Sequence, residues 1–395
     1  MQNVGVCHFD DSKMATSGWA SINGSTPFRI KSRGDLRTDA VWITNILWRD
    51  YLRLNLNRLG HVFDDQFFRN SYTFYGRELG FENEPKEQVK FFSEVFTRFS
   101  HYLYNKLNIN ISECGYRIPH LLRDYLASSS LKKQPSGVHS LEINNAITQS
   151  TQTMQKMTGN APQGSTTMNF IFPRGAYSRW LMSLPYPGGD DWEILPEKKF
   201  SGVFGHEDNI QIKGTKTILG ALLELGKTKA VLLRVTVLSQ NREFIDYQSF
   251  GSGSNVARRW ATLPEIIHIS RFSKIKIEGG FMCSLSDIGL KIPLNTDENE
   301  FSLTRSIFLD CLWVGIATPL NAKPTINTAT AAYMRAYDRI ACANAAEAFY
   351  KDGSIITGSF GTGRVTAYVR PSDIKDANNI AIRNGLIPPL KNLLR

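Results

Sequence analysis

One short segment of the chain spaces its basic residues in a way suited to holding phosphates. In 28–34, Arg29, Lys31 and Arg33 lie on one side of the backbone if the segment is extended, because successive side chains of a strand point to opposite faces. Arg37 follows shortly after. A row of cations at this spacing predicts contacts with a nucleic-acid backbone. The alternative interpretation is a solvated basic edge strand that discourages aggregation.

Two further segments, 174–180 and 258–260, combine arginine with an aromatic ring, and the loop 252–259 is expected to close on a bound backbone. Since cations neutralise phosphates and rings stack on bases, both segments predict nucleic-acid contacts. The residues assigned to this role are Arg174, Arg179, Arg258, Arg259 and Trp260.

No motif in the sequence assembles an active site. There is no Walker loop, HExxH or GxSxG motif. The stretch 358–363 is rich in glycine but lacks the lysine and the helix start of a phosphate-binding loop, so it predicts a hairpin turn. We therefore expect no catalytic residue, no cofactor and no enzymatic activity.

Three acidic pairs keep a metal-dependent nuclease open as the third-ranked function. They are Asp10 with Asp11, Asp64 with Asp65, and Asp190 with Asp191. A two-metal nuclease needs its carboxylates gathered in space. Neighbouring residues of one strand point to opposite faces, so a pair in sequence does not itself build such a centre.

The five cysteines and seven histidines are scattered without the spacing of a zinc site. This pattern predicts no metal site and inert thiols in a reducing compartment. No signal peptide and no apolar run of 18 residues is recognised, so we expect a cytoplasmic protein without membrane contact.

The balance of charge favours a polyanionic partner. Lys and Arg number 46 against 36 Asp and Glu, giving a net charge of +10 and an isoelectric point of about 9.3. Such an excess attracts nucleic acid at long range and releases its counterions on binding. With 42% hydrophobic residues, the 395-residue chain can also build a sizeable core.

Hydrophobic periodicity predicts an α+β fold without regular βαβ alternation. Three-to-four-residue spacing predicts helices, and alternating or β-branched runs predict strands. The predicted helices are 40–59, 86–107, 116–127, 215–225 and 328–350. The predicted strands are 230–238, 274–278 and a hairpin of 354–357 with 364–369.

Three collinear segments resemble the backbone subunit of type I-F CRISPR surveillance complexes, the Cas-seven (Csy-three) family. The first is 9–19 followed by the basic 27–38, which carries KSRG. The second is 230–250, which contains LLRVTVLSQNREFIDYQSF, and the third is 337–371, which contains GSFGTGRVTAYVRP. The family's mid-chain motifs have no clear counterpart, the nearest region being 117–125, and 251–320 looks inserted.

The resemblance implies an RRM-like β-sheet palm with helical and long-loop insertions. It implies a non-catalytic subunit for antiviral defence that oligomerises with copies of itself along a guide RNA. Target DNA would be reached through the guide, beside other CRISPR effector subunits. The segments that carry the resemblance add Arg364 and Arg370 to Lys31, Arg33 and Arg37 as candidate RNA contacts.

The domain layout expected on this basis has five parts. Residues 1–60 hold the first palm strand, basic loop and helix, and 61–228 form a mainly helical and loop insertion. Residues 229–250 supply the central palm strand, 251–320 an inserted segment, and 321–395 the closing helix and hairpin. A phage or viral capsid or nucleocapsid protein is the main alternative, because it shares the basic charge and the self-association.

Overall fold

The computed structural model describes residues 3–63, 66–81, 83–111, 118–119, 121–122, 137–151, 155–156, 161–188, 191–205, 217–240, 259–286, 302–317 and 328–389. The chain divides into two compact units. Unit 1 comprises 1–125, 173–179 and 293–315, and unit 2 comprises 126–172, 180–292 and 316–395. The fold is α+β, as predicted.

The structure contains strands and helices in irregular alternation. The strands are β1 (Asn3–Phe9), β2 (Thr16–Ile22), β3 (Phe28–Ser32), β4 (Ala40–Thr44), β5 (Val62–Phe63), β6 (Gln155–Lys156), β7 (Thr166–Ile171), β8 (Tyr186–Pro187), β9 (Glu193–Ile194), β10 (Gly202–Gly205), β11 (Lys229–Gln240), β12 (Trp260–Thr262), β13 (Ser273–Ser286), β14 (Ile356–Gly361) and β15 (Arg364–Val369). The helices are α1 (Trp48–Arg53), α2 (Gln66–Glu78), α3 (Pro85–Leu107), α4 (Ser140–Ser150), α5 (Arg174–Ser183), α6 (Glu197–Phe200), α7 (Ile218–Leu225), α8 (Leu263–Ile269), α9 (Ser302–Ala317), α10 (Ala329–Gly353) and α11 (Ile374–Arg383).

Unit 1 is built on a five-stranded sheet in the order β3-β2-β1-β4-β5. Strands β1, β2 and β3 run antiparallel, whereas β4 lies parallel to both β1 and β5. The long helix α3 packs on β1 and β2. It begins at Pro85, where a proline needs no amide hydrogen bond, and it ends at Asn108, which adopts a left-handed conformation.

The predicted helix 40–59 is wrong in its first half. Residues Ala40–Thr44 form β4, and all five are buried between β1 and β5. Val41 and Ile43 satisfy a period of two as well as a helical period, and β-branched residues favour a strand buried on both faces. The helix follows only at Trp48–Arg53.

The other long periodic segments form the elements predicted for them. Helices 86–107, 215–225 and 328–350 are observed as α3, α7 and α10, and the strand 230–238 lies within β11. The segment 274–278 lies within the longer β13. Most of the predicted helix 116–127 lies outside the described residues.

Two sheets are observed among the described residues of unit 2. In the larger one, β13 lies between β10 and β11, and β12 pairs with β11. The short strands β8 and β9 also pair with β13. The smaller sheet has four strands in the order β6-β14-β15-β7, and every pairing in it is antiparallel. No helix within the described part of the chain is long and apolar enough to cross a membrane.

Candidate nucleic-acid interface

The four-stranded sheet of unit 2 has one face packed on helices and an opposite face lined mainly by polar side chains. Along β15 the burial alternates: Val365, Ala367 and Val369 are fully buried, whereas Arg364, Thr366 and Tyr368 are half-buried. This period of two is what an antiparallel sheet with a single covered face requires.

The covered face packs against α10 and α11 in one hydrophobic cluster. Phe170 of β7 contacts Phe349 of α10, with ring centroids 4.7 Å apart. Ala377 and Ile380 of α11 belong to the same cluster. This apolar packing fixes the sheet and therefore the side chains on its opposite face.

The opposite face is lined by polar and aromatic side chains in register. Thr366 lies between Ser359 of β14 and Asn169 of β7, and its hydroxyl donates a hydrogen bond to Asn169 Oδ1 at 2.8 Å. We call this surface the open face. Its residues are Thr167 and Asn169 of β7, Ile356 and Ser359 of β14, and Arg364, Thr366 and Tyr368 of β15, while Ile171, the register partner of Arg364, is buried.

A tight turn sets the start of β15 and so the position of Arg364. Gly361 pairs with Arg364, which leaves Thr362 and Gly363 as a two-residue loop with φ of 57° and 69°. Positive φ at both loop positions matches the right-handed twist of a hairpin. The predicted hairpin is thus observed, but its turn consists only of Thr362 and Gly363, because residues 358–361 belong to β14.

A buried carboxylate stabilises this turn by accepting hydrogen bonds from its backbone amides. Asp338 of α10 is 1% exposed and accepts hydrogen bonds from the amides of Thr362 at 2.5 Å and Gly363 at 2.7 Å. A threonine at positive φ is disfavoured because its branched Cβ crowds the backbone. The two hydrogen bonds to Asp338 therefore stabilise a turn that the conformational preference of Thr362 disfavours.

The basic segment of unit 1, which we define as Arg29, Lys31, Arg33 and Arg37, forms local contacts. Arg29 and Lys31 lie on β3 and are exposed, as the alternation predicts. Arg29 pairs with Asp10, and Arg37 pairs with Asp39. Arg33 donates a hydrogen bond to the carbonyl of Leu54, and the amide of Lys31 donates one to Asp35.

The titration of the acidic partners reflects these contacts. Partial desolvation raises the pKa of Asp10, but the hydrogen bonds from Arg29 and Ser17 outweigh it and hold that pKa below its usual value. The hydrogen bond from Arg37 lowers the pKa of Asp39 in the same way. Both carboxylates are therefore ionised at neutral pH and neutralise the arginines beside them.

Trp19 of β2 is a neighbour of this segment that the sequence analysis missed. It pairs in register with Arg29, whose guanidinium carbon lies 5.3 Å from the ring centroid. Lys86 of α3 places its ammonium 5.6 Å from the same ring. This contact arises because two strands pair, so the spacing of residues along the sequence does not predict it.

The prediction that Arg174 contacts RNA is corrected by its burial. Arg174 is 7% exposed and pairs with Asp310 at 2.7 Å. The same carboxylate also accepts hydrogen bonds from Ser178 at 3.1 Å and Trp313 at 2.8 Å. A guanidinium enclosed in this network stabilises unit 1 and does not reach solvent. Arg179, one turn along α5, donates to Ser306 at 2.9 Å.

The prediction for Trp260 is corrected for the same reason. Trp260 is 4% exposed and stacks on Phe281 of β13, with ring centroids 5.4 Å apart and an interplanar angle of 15°. Its ring therefore packs inside unit 2 and cannot stack on a nucleic-acid base. Arg259 has an exposed side chain, and its amide donates to Gln149. Arg258 and the rest of the loop 252–258 lie outside the described residues, and Arg370 is exposed just after β15.

The acidic pairs do not form a metal centre in the part of the chain that the structure describes, where no three potential ligands are grouped. Asp10 bonds to Arg29 and Ser17, and Asp191 accepts from Ser284 at 2.9 Å. Asp64, Asp65 and Asp190 lie outside the described residues.

No family model and no curated protein matches the chain. Among solved structures, the chain is similar to Phi29 DNA polymerase complexed with primer-template DNA, at 11% identity and a TM-score of 0.39 over 74% of this chain and 53% of that chain. The same enzyme complexed with single-stranded DNA aligns over the same shares at 11% identity and a TM-score of 0.38. Its orthorhombic crystal form aligns at 11% identity and a TM-score of 0.40 over 95% of this chain and 82% of that chain. The chain spans about half the length of the first two neighbours.

These neighbours are DNA polymerases, and two of them are complexed with DNA. They contradict the predicted non-catalytic subunit that oligomerises along a CRISPR guide RNA, and they contradict the prediction that the chain is not an enzyme. Both predictions are withdrawn. At TM-scores of 0.38 to 0.40 the likeness assigns no activity to this chain. The resemblance of three segments to Cas-seven subunits stays a prediction.

Proposed function

We propose that this protein binds single-stranded nucleic acid across the open face of its four-stranded sheet. The observation that carries the proposal is the alternation along β15, which presents Arg364, Thr366 and Tyr368 together while their neighbours anchor the sheet. A cation, a hydroxyl and an aromatic ring in one row supply a phosphate contact, a hydrogen bond and a stacking surface.

The arrangement of the sheet supports the same proposal. Four antiparallel strands covered on one face by α10 and α11 resemble the RRM design, in which aromatic side chains of the uncovered face stack on unpaired bases. The RRM-like fold is proposed for this sheet alone: of the palm segments predicted from the sequence (1–60, 229–250 and 321–395), only the last contributes strands to it. Bases of a duplex are paired and stacked already, so a flat sheet of this kind selects single strands.

The net charge of the chain favours an anionic ligand. The register neighbours of Arg364 and Tyr368 are Gly361, Ile171, Ile356 and Thr167, and none carries a charge. The net charge of +10 adds long-range attraction for a polyanion. Binding is therefore expected to weaken steeply as salt rises, because each phosphate contact releases roughly one counterion.

The test is binding of fluorescently labelled 20-nucleotide oligo-dT and oligo-rU by two variants of the full chain. Tyr368→Ala is expected to weaken binding by about 1–3 kcal/mol, the contribution of one stacked base. Arg364→Ala is expected to reduce the slope of log K against log salt by about one unit.

Two matched variants control for the loss of a ring and of a charge. Tyr350 is exposed at the end of α10, and Arg383 is exposed on α11, in the helical layer behind the sheet. Tyr350→Ala and Arg383→Ala should bind like the unaltered chain. If both open-face variants also bind like the unaltered chain, the proposal is wrong.

A further inference from the structure

A glycine in β14 lies directly beneath the tyrosine of the open face. Strand β14 pairs with β15 through Thr357 with Ala367 and Ser359 with Thr366, so Gly358 between them is an extra residue that forms a β-bulge. Bulges redirect side chains, and a glycine inside a strand often marks a close approach by another group.

The approaching group is the phenol end of Tyr368. A Cβ placed on Gly358 would lie 2.5 Å from the Tyr368 hydroxyl oxygen and 2.6 Å from the ring carbon that bears it. Real Cβ atoms do not approach other heavy atoms so closely, so any other residue at 358 displaces the ring.

We propose that Gly358 is a positioning residue that holds the Tyr368 ring against the open face so that the ring stacks on a nucleic-acid base. This inference rests on the proposed function of the open face and adds how the ring is placed. The missing side chain at 358 leaves the space that the ring occupies, and the ring thereby keeps one position in the absence of ligand. A ring held in place loses less conformational entropy when a base stacks on it.

The substitution that removes this space is Gly358→Ala. Gly358 is not among the glycines with positive φ, so alanine is compatible with the backbone there. The clash falls on the far end of a flexible side chain, which swings aside at small cost. The fold should therefore remain, while the ring moves.

Matched controls separate this effect from a general loss of glycine. Gly60 also lacks positive φ, and a Cβ there would meet nothing within 4 Å. Gly60→Ala should therefore change neither stability nor binding. Tyr368→Phe keeps the ring and should bind within about twofold of the unaltered chain, since stacking needs no hydroxyl.

The experiment is a double-mutant cycle of Gly358→Ala and Tyr368→Ala, read out by the Kd for labelled oligo-dT and oligo-rU. Each single variant is expected to raise Kd about tenfold, the effect of losing one stacked base. Gly358→Ala should cause no further loss in the Tyr368→Ala background, because its effect passes through that ring.

Four outcomes decide between the possibilities. Loss in both single variants without further loss in the double variant supports the inference. If Tyr368→Ala weakens binding and Gly358→Ala does not, the inference is wrong and the proposed function stands. If the two losses add, Gly358 acts other than through the ring, and the inference is again wrong. If neither Tyr368→Ala nor Arg364→Ala weakens binding, the proposed function fails, and the inference fails with it.

A second measurement tests the inference if the Gly358→Ala variant folds poorly. Hydroxyl-radical footprinting reports the exposure of the Tyr368 ring, and the labelling of Tyr350 in the same sample shows whether part of the protein has unfolded. Increased labelling of Tyr368 in Gly358→Ala, with unchanged labelling of Tyr350, supports the inference, and equal labelling in variant and parent overturns it.

Discussion

The basic segment of unit 1 and the open face of unit 2 differ in what surrounds their cations. In the basic segment, Arg29 and Arg37 each pair with an aspartate and Arg33 bonds to a carbonyl. On the open face, the strand neighbours of Arg364 are uncharged. The cations of the basic segment are therefore less available for phosphates, because the carboxylates beside Arg29 and Arg37 neutralise their charge.

This difference teaches that the neighbours across a strand or turn decide the role of a basic residue. An exposed arginine beside an ionised aspartate contributes little net attraction to a distant anion. At the start of β15, by contrast, the register neighbours of Arg364 carry no charge. The same reasoning separates both surfaces from Arg174, whose charge is enclosed by Asp310.

The largest expected effect tests that enclosed arginine. Asp310→Ala leaves the Arg174 guanidinium buried without its carboxylate, which should lower the free energy of unfolding by about 3–5 kcal/mol. Asp39→Ala is the matched control, because it removes the partner of the exposed Arg37 and should lower the free energy of unfolding far less. Urea unfolding of both variants gives the two values. Similar losses in both would break the distinction between enclosed and exposed arginines.

A second prediction concerns acid stability of unit 2. Burial of His268 in α8, with a smaller contribution from Arg271, lowers its pKa from 6.5 to about 4. Between these values the unfolded chain binds a proton that the folded chain does not, so stability should fall as pH drops from about 6.5 to about 4 and level off below. The full loss is about 3 kcal/mol.

Replacing the histidine isolates this contribution. His268→Gln should unfold with a shallower dependence on pH across that interval, as measured by urea titrations at several pH values. Helix α8 packs on α10, which also supports the covered face of the four-stranded sheet. Oligonucleotide binding above pH 6.5 should be the same in His268→Gln and its parent. An unchanged slope of stability with pH in the variant would contradict the assignment.

The smallest expected effect belongs to the surface pairs. Arg29→Ala and Arg37→Ala should each leave the free energy of unfolding nearly unchanged, because exposed ion pairs contribute little. Thermal melts at low and moderate salt measure this. A loss of several kcal/mol for either arginine would show that these pairs organise unit 1, which would weaken the contrast with Asp310.

Much of the secondary structure is predictable from the sequence because its periodicity is strong. Helix α3 and strand β11 follow apolar patterns that admit one interpretation, whereas α10 is predictable from its many alanines, which favour a helix. Strand β4 is the failure, since Val41 and Ile43 fit two periods at once and only its burial between β1 and β5 decides. Pairings such as β1 with β4 join residues nearly 40 positions apart, and local pattern does not specify them.

The candidate site is predictable only in part. Arg364 follows only from the resemblance of the segment 337–371 to Cas-seven subunits, whereas the alternation to Thr366 and Tyr368 is visible in the sequence once β15 is recognised as a strand with one covered face. Asp338 could not be found in this way, because its role depends on a turn 24 residues away. Arg174 and Trp260 were misassigned because the local sequence around an arginine or a tryptophan does not show whether the side chain is exposed or buried.

The most direct test of the central claim compares the two surfaces in one titration. The double variants Arg29→Ala with Arg37→Ala, and Arg364→Ala with Tyr368→Ala, are titrated with labelled oligo-dT at three salt concentrations. The open-face double variant should bind at least about tenfold more weakly and with a shallower salt slope. The basic-segment double variant should stay within about threefold of the unaltered chain, because its aspartates already neutralise it. Greater loss of binding in the basic-segment variant would contradict the account.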